Sequence, residues 1–469
     1  MTLIEDRPVP RAAAATAAGD APPTVPVSVP LVTRPLGLWG SLKHARRNLL
    51  EIIPEIATRQ PIVSGRTGKR WHMVMDPEAN RRILKEKVED YPKSDVTKAI
   101  LRPAIGESLF VAEGPHWHWQ RRVAAPVFSH RNIAALGPVM TAAAERASDR
   151  IAAQSGRAAN LHHEMVTATF EVISDVTLSG GEGFDRDEMH RAIDGYIAET
   201  ARVSLFDMLG LPDWVPRLNR MFTQRTMGDM KSVADAAIEA RKTAPHTGVP
   251  DLLDLLLLGH DAKSGRRMTT AELRDNLLTF IVAGHETTAL TLAWSLYLCA
   301  FDPAVQDRAR DEARAVLGDR AATAADLASL PYIRRIVDEA LRLYPPAAFL
   351  SRTAQKADTI CGREVRPGDT VMLPIYALHR NHALWPDPDR FDPDRFADPK
   401  AIDRFAYLPF GDGPRVCIGA SFAIQEAVII LATLLARFRF TRVPGRDPKP
   451  VLILTLRPEG GVWLNVEPA

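Results

Sequence analysis

The chain has 469 residues, 46% of them hydrophobic and 25% charged, with a net charge of +2, the make-up of a globular protein with a sizeable core. So even a charge balance implies no nucleic-acid or membrane partner, and no run of about 18 apolar residues suggests a transmembrane helix. Three cysteines, Cys299, Cys361 and Cys417, are odd in number and far apart, which excludes a disulfide framework or structural zinc site and suits a reducing cytoplasm.

Residues 1–34 are rich in Ala and Pro, carry Glu5 and Asp6 early and lack the apolar core of a signal peptide; they read as a disordered leader before a single domain over 35–469. Leu38 to Ile56 is amphipathic and suits a first core-packing helix, with a membrane-surface helix as the other reading. Pro61–Val63 and Arg70–Met75 read as two strands around a turn at Ser64–Gly68, and Asp76-Pro77 offers an N-cap and a first-turn proline to the helix that follows. From there helical periodicity dominates to about residue 345. Within it, Trp117 and Arg121 stand one helical turn apart, so that an indole N–H and a guanidinium can reach one anionic group. His116 and His118 diverge on a helix and make no metal pair.

The longest helix is expected from Met268, where Thr269 and Glu272 form a capping box, and it runs without proline to Ala300, roughly 45 Å at 1.5 Å per residue. In its middle Ala283–Thr288, A-G-H-E-T-T, sets Glu286 and Thr287 into apolar surroundings, and buried polar groups need a reason. Glu339 and Arg342 follow at i and i+3 on a helix that two prolines stop. Strands return near Thr370–Leu373 and Val451–Thr455. The class is mainly α with a minor β region (α+β).

Near the C-terminus, Phe410–Gly419, F-G-D-G-P-R-V-C-I-G, brackets one cysteine with glycines. Gly411 and Gly413 open backbone angles closed to other residues, Pro414 stiffens the turn, and Gly419 removes a side chain where a flat cofactor would need close approach. Apolar residues recur at helical spacing from Ala420, so Cys417 is expected at a helix N-terminus whose partial charge favours thiolate. Phe410, Gly413, Arg415, Cys417 and Gly419 match the haem-binding signature of the cytochrome P450 family, which the chain resembles from about Trp71 to its end.

That resemblance implies the triangular P450 fold with its long central I-helix, haem b as cofactor, and Cys417 as the axial ligand of its iron, a thiolate that favours O–O cleavage. It further implies Trp117, Arg121 and Arg352 as propionate contacts and Ala283 and Gly284 as a small-residue groove for O₂. Glu286 and Thr287 become the acid and alcohol that deliver protons, and Glu339, Arg342 and Arg395 a structural cluster. The implied function is that of a cytoplasmic monooxygenase inserting one oxygen atom of O₂ into an apolar substrate. Only 52 residues follow Cys417 and no flavin or nicotinamide fingerprint is visible, so electrons come from a separate ferredoxin, flavodoxin or reductase. Arg122, Arg131, Arg334 and Arg335 could dock such a donor. Substrate contacts are expected at Leu101, Leu109, Phe110, Leu205, Phe206, Met208, Leu209 and Phe349, with Arg102 to anchor a carboxylate. A haem-binding sensor and a peroxide-dependent haem enzyme are the alternatives.

Overall fold

The computed structural model describes residues 25–178, 219–244 and 250–469. Its helices are α1 (Leu38–Arg47), α2 (Pro77–Arg81), α3 (Asp95–Ile105), α4 (Gly114–Ala124), α5 (His130–Ala135), α6 (Gly137–Ala152), α7 (Leu161–Leu178), α8 (Asn219–Thr243), α9 (Leu252–Leu258), α10 (Thr270–Phe301), α11 (Pro303–Leu317), α12 (Pro331–Leu343), α13 (Ile375–Leu378) and α14 (Ala420–Arg437). Several begin where side-chain chemistry satisfies free backbone N–H groups. Asp76 accepts from Ala79 N with Pro77 in the first turn of α2, Asp302 does the same for α11, and Thr269 with Glu272 closes the capping box of α10. The body is mainly helical with small sheets, as expected.

Helix α10 is the axis. From Leu277 it is buried on nearly every side, with α7, α8, α12 and α14 packed around it, and such a helix needs apolar residues all round rather than along one stripe. Trp294 stacks on Tyr344 with ring centroids 4.0 Å apart and donates to Leu456 O, fixing the C-terminal half of the helix to distant chain. Helix α14 is the one helix among the described residues long and apolar enough by composition to cross a membrane, although Gln425 and Glu426 interrupt it, and 72% of it is buried inside the protein. It is a core helix, packed against α6, α10 and α11.

The largest sheet has the order β1-β2-β7-β4, combining the hairpin β1 (Ile62–Thr67) and β2 (Lys69–Val74) with β4 (Leu350–Thr353) and β7 (Thr370–Leu373), far later in the chain. The turn expected at Ser64–Gly68 shrinks to Gly68, at φ +75°. Gly65 instead lies inside β1 opposite Trp71, where a Cβ would come within 2.3 Å of the indole; that glycine admits a ring. Strands β3 (Ala158–Asn160), β8 (Phe438–Arg442) and β11 (Trp463–Pro468) form a second sheet in the order β3-β11-β8. Segments β5 (Asp358–Ile360) and β6 (Arg363–Val365) pair as a small hairpin, as do β9 (Lys449–Leu452) and β10 (Leu456–Glu459). The late strand expected over Val451–Thr455 therefore ends at Leu452, and Ile453–Thr455 make the connection to β10.

Part of the segment expected as a leader is packed against the core. Val27 N donates to the Tyr297 hydroxyl, Tyr344 donates to Val27 O, and Val29 is buried with its N–H on Tyr376. Three tyrosine hydroxyls need partners in an apolar core, and this extended backbone supplies them. On α12, Glu339 and Arg342 are both wholly buried. Arg342 binds Glu339 at 2.6 and 2.7 Å and the carbonyls of His379, Pro388 and Arg390. Arg395 joins as an ion pair, 3.4 Å from Glu339, and donates to Asp387 O. The cluster ties α12 to the loop over residues 379–395, which leads to the cysteine loop.

Candidate functional site

Between Phe410 and α14 the chain makes tight turns that only glycine allows. Gly413 has φ +74°, and a Cβ there would lie 2.1 Å from Leu84 O, so the loop rests on the backbone after α2. Cys417 N donates to Phe410 O at 2.9 Å, closing the loop. Its side chain opens on a cavity of about 670 Å³. A Cβ at Gly419 would meet nothing within 4 Å, leaving that wall of the cavity flat. The helix terminus does not make a thiolate unaided: burial pushes the Cys417 thiol up, against the opposing pull of Gly419 N–H and the Arg121 charge. A metal ion would supply the missing positive charge, since coordination deprotonates a thiol outright.

Basic side chains gather on the same cavity. Trp117 and Arg121 from α4, Arg352 from β4, Arg415 from the cysteine loop and Lys93 just before α3 all line it. Arg415 pairs with Glu113 and lies over the Trp117 ring, 5.3 Å from its centroid. Its Nη1 is nevertheless buried without a partner, as is Nε of Arg352. Burial, then the Arg415 charge, pushes Arg352 down to about 10 and Lys93 down to about 7. Burial likewise lowers Arg121, which the Cys417 sulfur partly offsets. Lys93 and Glu113 carry no signal in the sequence, since Glu113 meets Arg415 across 302 residues.

Residues Ala283, Gly284, Glu286 and Thr287 face the cavity from the middle of α10. Ala283 is exposed there, inside an otherwise buried helix. Gly284 also serves packing, because a Cβ would lie 3.1 Å from Ile173 of α7. Thr287 Oγ1 donates to Ala283 O at 2.7 Å, which leaves its lone pairs towards the cavity. Glu286 is buried and held: Thr455 donates to its Oε1 at 2.6 Å, and Arg457 Nε donates to the same oxygen. Behind the helix, the fully buried Glu426 carboxyl is pushed well above the usual range by desolvation, against a hydrogen bond from Thr288.

Leu101, Leu109, Phe110 and Phe349 line the cavity as expected, while Leu205, Phe206, Met208 and Leu209 lie outside the described residues. Arg102 does not line it and is paired with Glu107 at 2.6 Å, so its charge is spent on the surface. Three of the docking arginines are also paired: Arg122 with Asp261, Arg334 with Asp338 and Arg335 with Asp394. Arg131 is exposed.

The chemistry of this donor set fits haem. Two orphaned guanidinium N–H groups, an Arg121 without an ion pair among the described residues and a lysine whose charge is disfavoured first by burial gather near Glu113, an arrangement that anionic carboxylates would satisfy. Apolar walls and a sulfur suit a flat apolar ring and its metal. The sequence profile of the family described as Cytochrome P450 matches residues 30–465. Cytochrome P450 132 of Mycobacterium tuberculosis is 33% identical over 84% of this chain and 87% of its own. Cyclooctat-9-en-7-ol 5-monooxygenase of Streptomyces melanosporofaciens is 32% identical over 90% of each chain. The crystal structure of a cytochrome P450DA heme domain superposes with a TM-score of 0.76 at 27% identity, covering 87% of this chain and 90% of that one.

Proposed function

The chain belongs to the cytochrome P450 family and is a monooxygenase with haem b as its cofactor, and on that premise we propose that it oxygenates a lipophilic substrate by hydroxylation or epoxidation. The observation that carries this reading is one apolar cavity that takes in Cys417, the basic cluster and Thr287 together. Cys417 would ligate the iron, and Lys93, Arg121, Arg352 and Arg415, with the Trp117 indole, would hold the propionates. Phe410, Gly413 and Gly419 would shape the cysteine side of the seat, and Ala283 and Gly284 the opposite side. Bound there, haem supplies the reductive activation of O₂, with thiolate donation favouring O–O cleavage.

The chain's own part is to bind, to exclude water and to move protons. Thr287, already donating to Ala283 O, accepts from a cavity water and holds it in place, and Glu286 exchanges protons with that water. Walls built from Ile100, Leu101, Leu109, Phe280 and Phe349 favour hydrocarbon at about 25 cal/mol per Å² buried and keep bulk water out. Fatty acids, terpenoids and aromatics all suit them. With Arg102 engaged elsewhere, neutral compounds come first, and cyclooctat-9-en-7-ol, named in one relative, is a first one to try. A separate ferredoxin or flavodoxin with its reductase supplies electrons, and unbonded cysteines suit a cytoplasmic setting. We take residues 35–469 as one catalytic domain, with the backbone of residues 27–29 packed onto it.

The test is product formed per electron donor consumed, with O₂, a redox partner and a substrate chosen by its shift of the haem spectrum. Thr287→Ala should still bind haem and substrate while diverting reducing equivalents into peroxide. Product from peroxide alone, with none from donor and O₂, would move the protein to the peroxide-dependent class. Absence of product under both conditions would leave a sensor.

A further inference from the structure

The carboxylate assigned to proton delivery is anchored by residues that no motif marks. Glu286 is buried on α10, and both of its hydrogen bonds fall on one oxygen: the Thr455 hydroxyl donates to Oε1 at 2.6 Å and Arg457 Nε donates to the same atom. Oε2 has no protein partner among the described residues, is absent from the sealed, unpaired buried atoms, and belongs to a side chain that lines the cavity. The carboxylate therefore has one face fixed and one face open. Thr455 and Arg457 sit at the end of the connection between β9 and β10 and on β10. That hairpin is tied to α10 again two turns further on, where Trp294 donates to Leu456 O at 3.1 Å.

The same hairpin reaches the substrate side. Leu452, Ile453, Leu454 and Thr455 all line the cavity, so residues that touch a bound hydrocarbon are continuous in chain with those that hold the acid. From this geometry we infer that Thr455 and Arg457 are positioning residues for proton delivery, and that the β9–β10 hairpin links the fit of the substrate to the placement of Glu286. Held at Oε1, the carboxylate exchanges protons through Oε2. A proton leaves Oε2 for cavity water fixed by Thr287, and solvent water returns one, with no other bond made or broken. Arg457 is partly exposed, its side chain 25% accessible, and so marks the side from which solvent approaches. A hairpin displaced by an ill-fitting ligand would carry Thr455 and Arg457 away and leave the acid unanchored.

This inference rests on the proposed monooxygenase reading, and its test separates the two. The haem-loaded protein would be prepared as wild type, Thr455→Val, Arg457→Met, Arg457→Lys, Glu286→Gln and the double variant Glu286→Gln/Thr455→Val. Haem content and melting temperature report structure, and the C–O stretch of the ferrous carbon monoxide complex reports the polar groups beside the ligand without turnover. Thr455→Val and Arg457→Met should shift or broaden that band and lower product per electron about threefold or more, a fraction of the roughly 10²-fold a placed proton donor supplies. Arg457→Lys should recover most of the coupling, and the double variant should be no worse than Glu286→Gln alone. Unchanged coupling and an unchanged band in Thr455→Val and Arg457→Met, in a wild type that does turn over, would overturn the inference. So would an added loss in the double variant, which would mean that Thr455 acts elsewhere. A wild type that makes no product would instead remove the monooxygenase reading, and the carbon monoxide band would still decide whether the hairpin places Glu286.

Discussion

The clusters of buried charge on α12 and on the cavity differ in how completely they are satisfied. In the cluster on α12, Arg342 uses all five of its N–H donors, towards Glu339 and the carbonyls of His379, Pro388 and Arg390, and the one N–H there without a hydrogen bond among the described residues, Nε of Arg395, still faces the Glu339 carboxylate at 3.4 Å. In the cluster on the cavity, Arg415 and Arg352 each keep a buried N–H without a partner, and Lys93 is crowded by their charges. A closed network fixes backbone. An open one leaves free energy to be gained by a ligand of the missing sign, because an unsatisfied buried donor costs about 1–3 kcal/mol that binding can recover.

The contrast breaks most visibly at Glu339. Glu339→Ala strands Arg342 and Arg395 in a dry interior, at a cost of roughly 3–5 kcal/mol, so yield, melting temperature and haem content should all collapse together. Stable, haem-loaded Glu339→Ala protein would show that the closed cluster is dispensable. Cys417→Ser should behave in the opposite way. The side chain opens on the cavity, so the fold should persist while the thiolate character of the ferrous carbon monoxide spectrum disappears; a spectrum like that of the wild type would end the ligand assignment.

A smaller and more discriminating effect is expected at Arg352. Replacing it with Met removes a buried cation with an orphaned N–H, so the haem-free protein should melt at the same temperature or higher. Haem affinity should fall roughly 10- to 100-fold, as expected from the ~1.5–3 kcal/mol of a hydrogen bond to a charged group. The two clusters would then answer truncation with opposite signs in the haem-free state. Parallel destabilisation of Arg352→Met and Glu339→Ala would erase the distinction between them.

What could be read in the sequence follows the range of the interactions. The capping box at Thr269, the Asp76-Pro77 start and the glycines around Cys417 are decided within four or five residues, so spacing alone reveals them. Trp117 and Arg121 share a face because a helix places them there. Glu113 opposite Arg415, and Thr455 with Arg457 on Glu286, are pairings across 302, 169 and 171 residues, and nothing local announces them. Composition misled in the same way. Arg122, Arg334 and Arg335 looked free to meet a partner because their carboxylates lie elsewhere in the chain or one helical turn away, and Gly65 looked like a turn because its Trp71 neighbour is visible only across the sheet.

The smallest expected effect concerns Lys93 and is a matter of pH. Its ammonium is pushed down to about 7 by burial first, then by Arg415, against the pull of Glu113, with Arg352 and Lys98 adding to the depression. In the unfolded chain a lysine titrates near 10.4, so between about pH 7 and that value the haem-free fold binds fewer protons than the unfolded chain. The contribution of Lys93 to stability should accordingly rise with pH across that window: its penalty is absent above the unfolded value, grows as pH falls, and is complete below about 7. Haem reverses the preference, because propionates favour the charged lysine. Haem binding should therefore take up a proton above about pH 7, and affinity should weaken as pH rises from there. In Lys93→Met this contribution to both slopes should be gone, leaving Arg352, pushed down to about 10, and the thiols that burial pushes up to set what remains. Haem transfer to a scavenging apo-protein, followed across this range for the two proteins, measures the difference, and identical pH profiles would remove Lys93 from the haem seat.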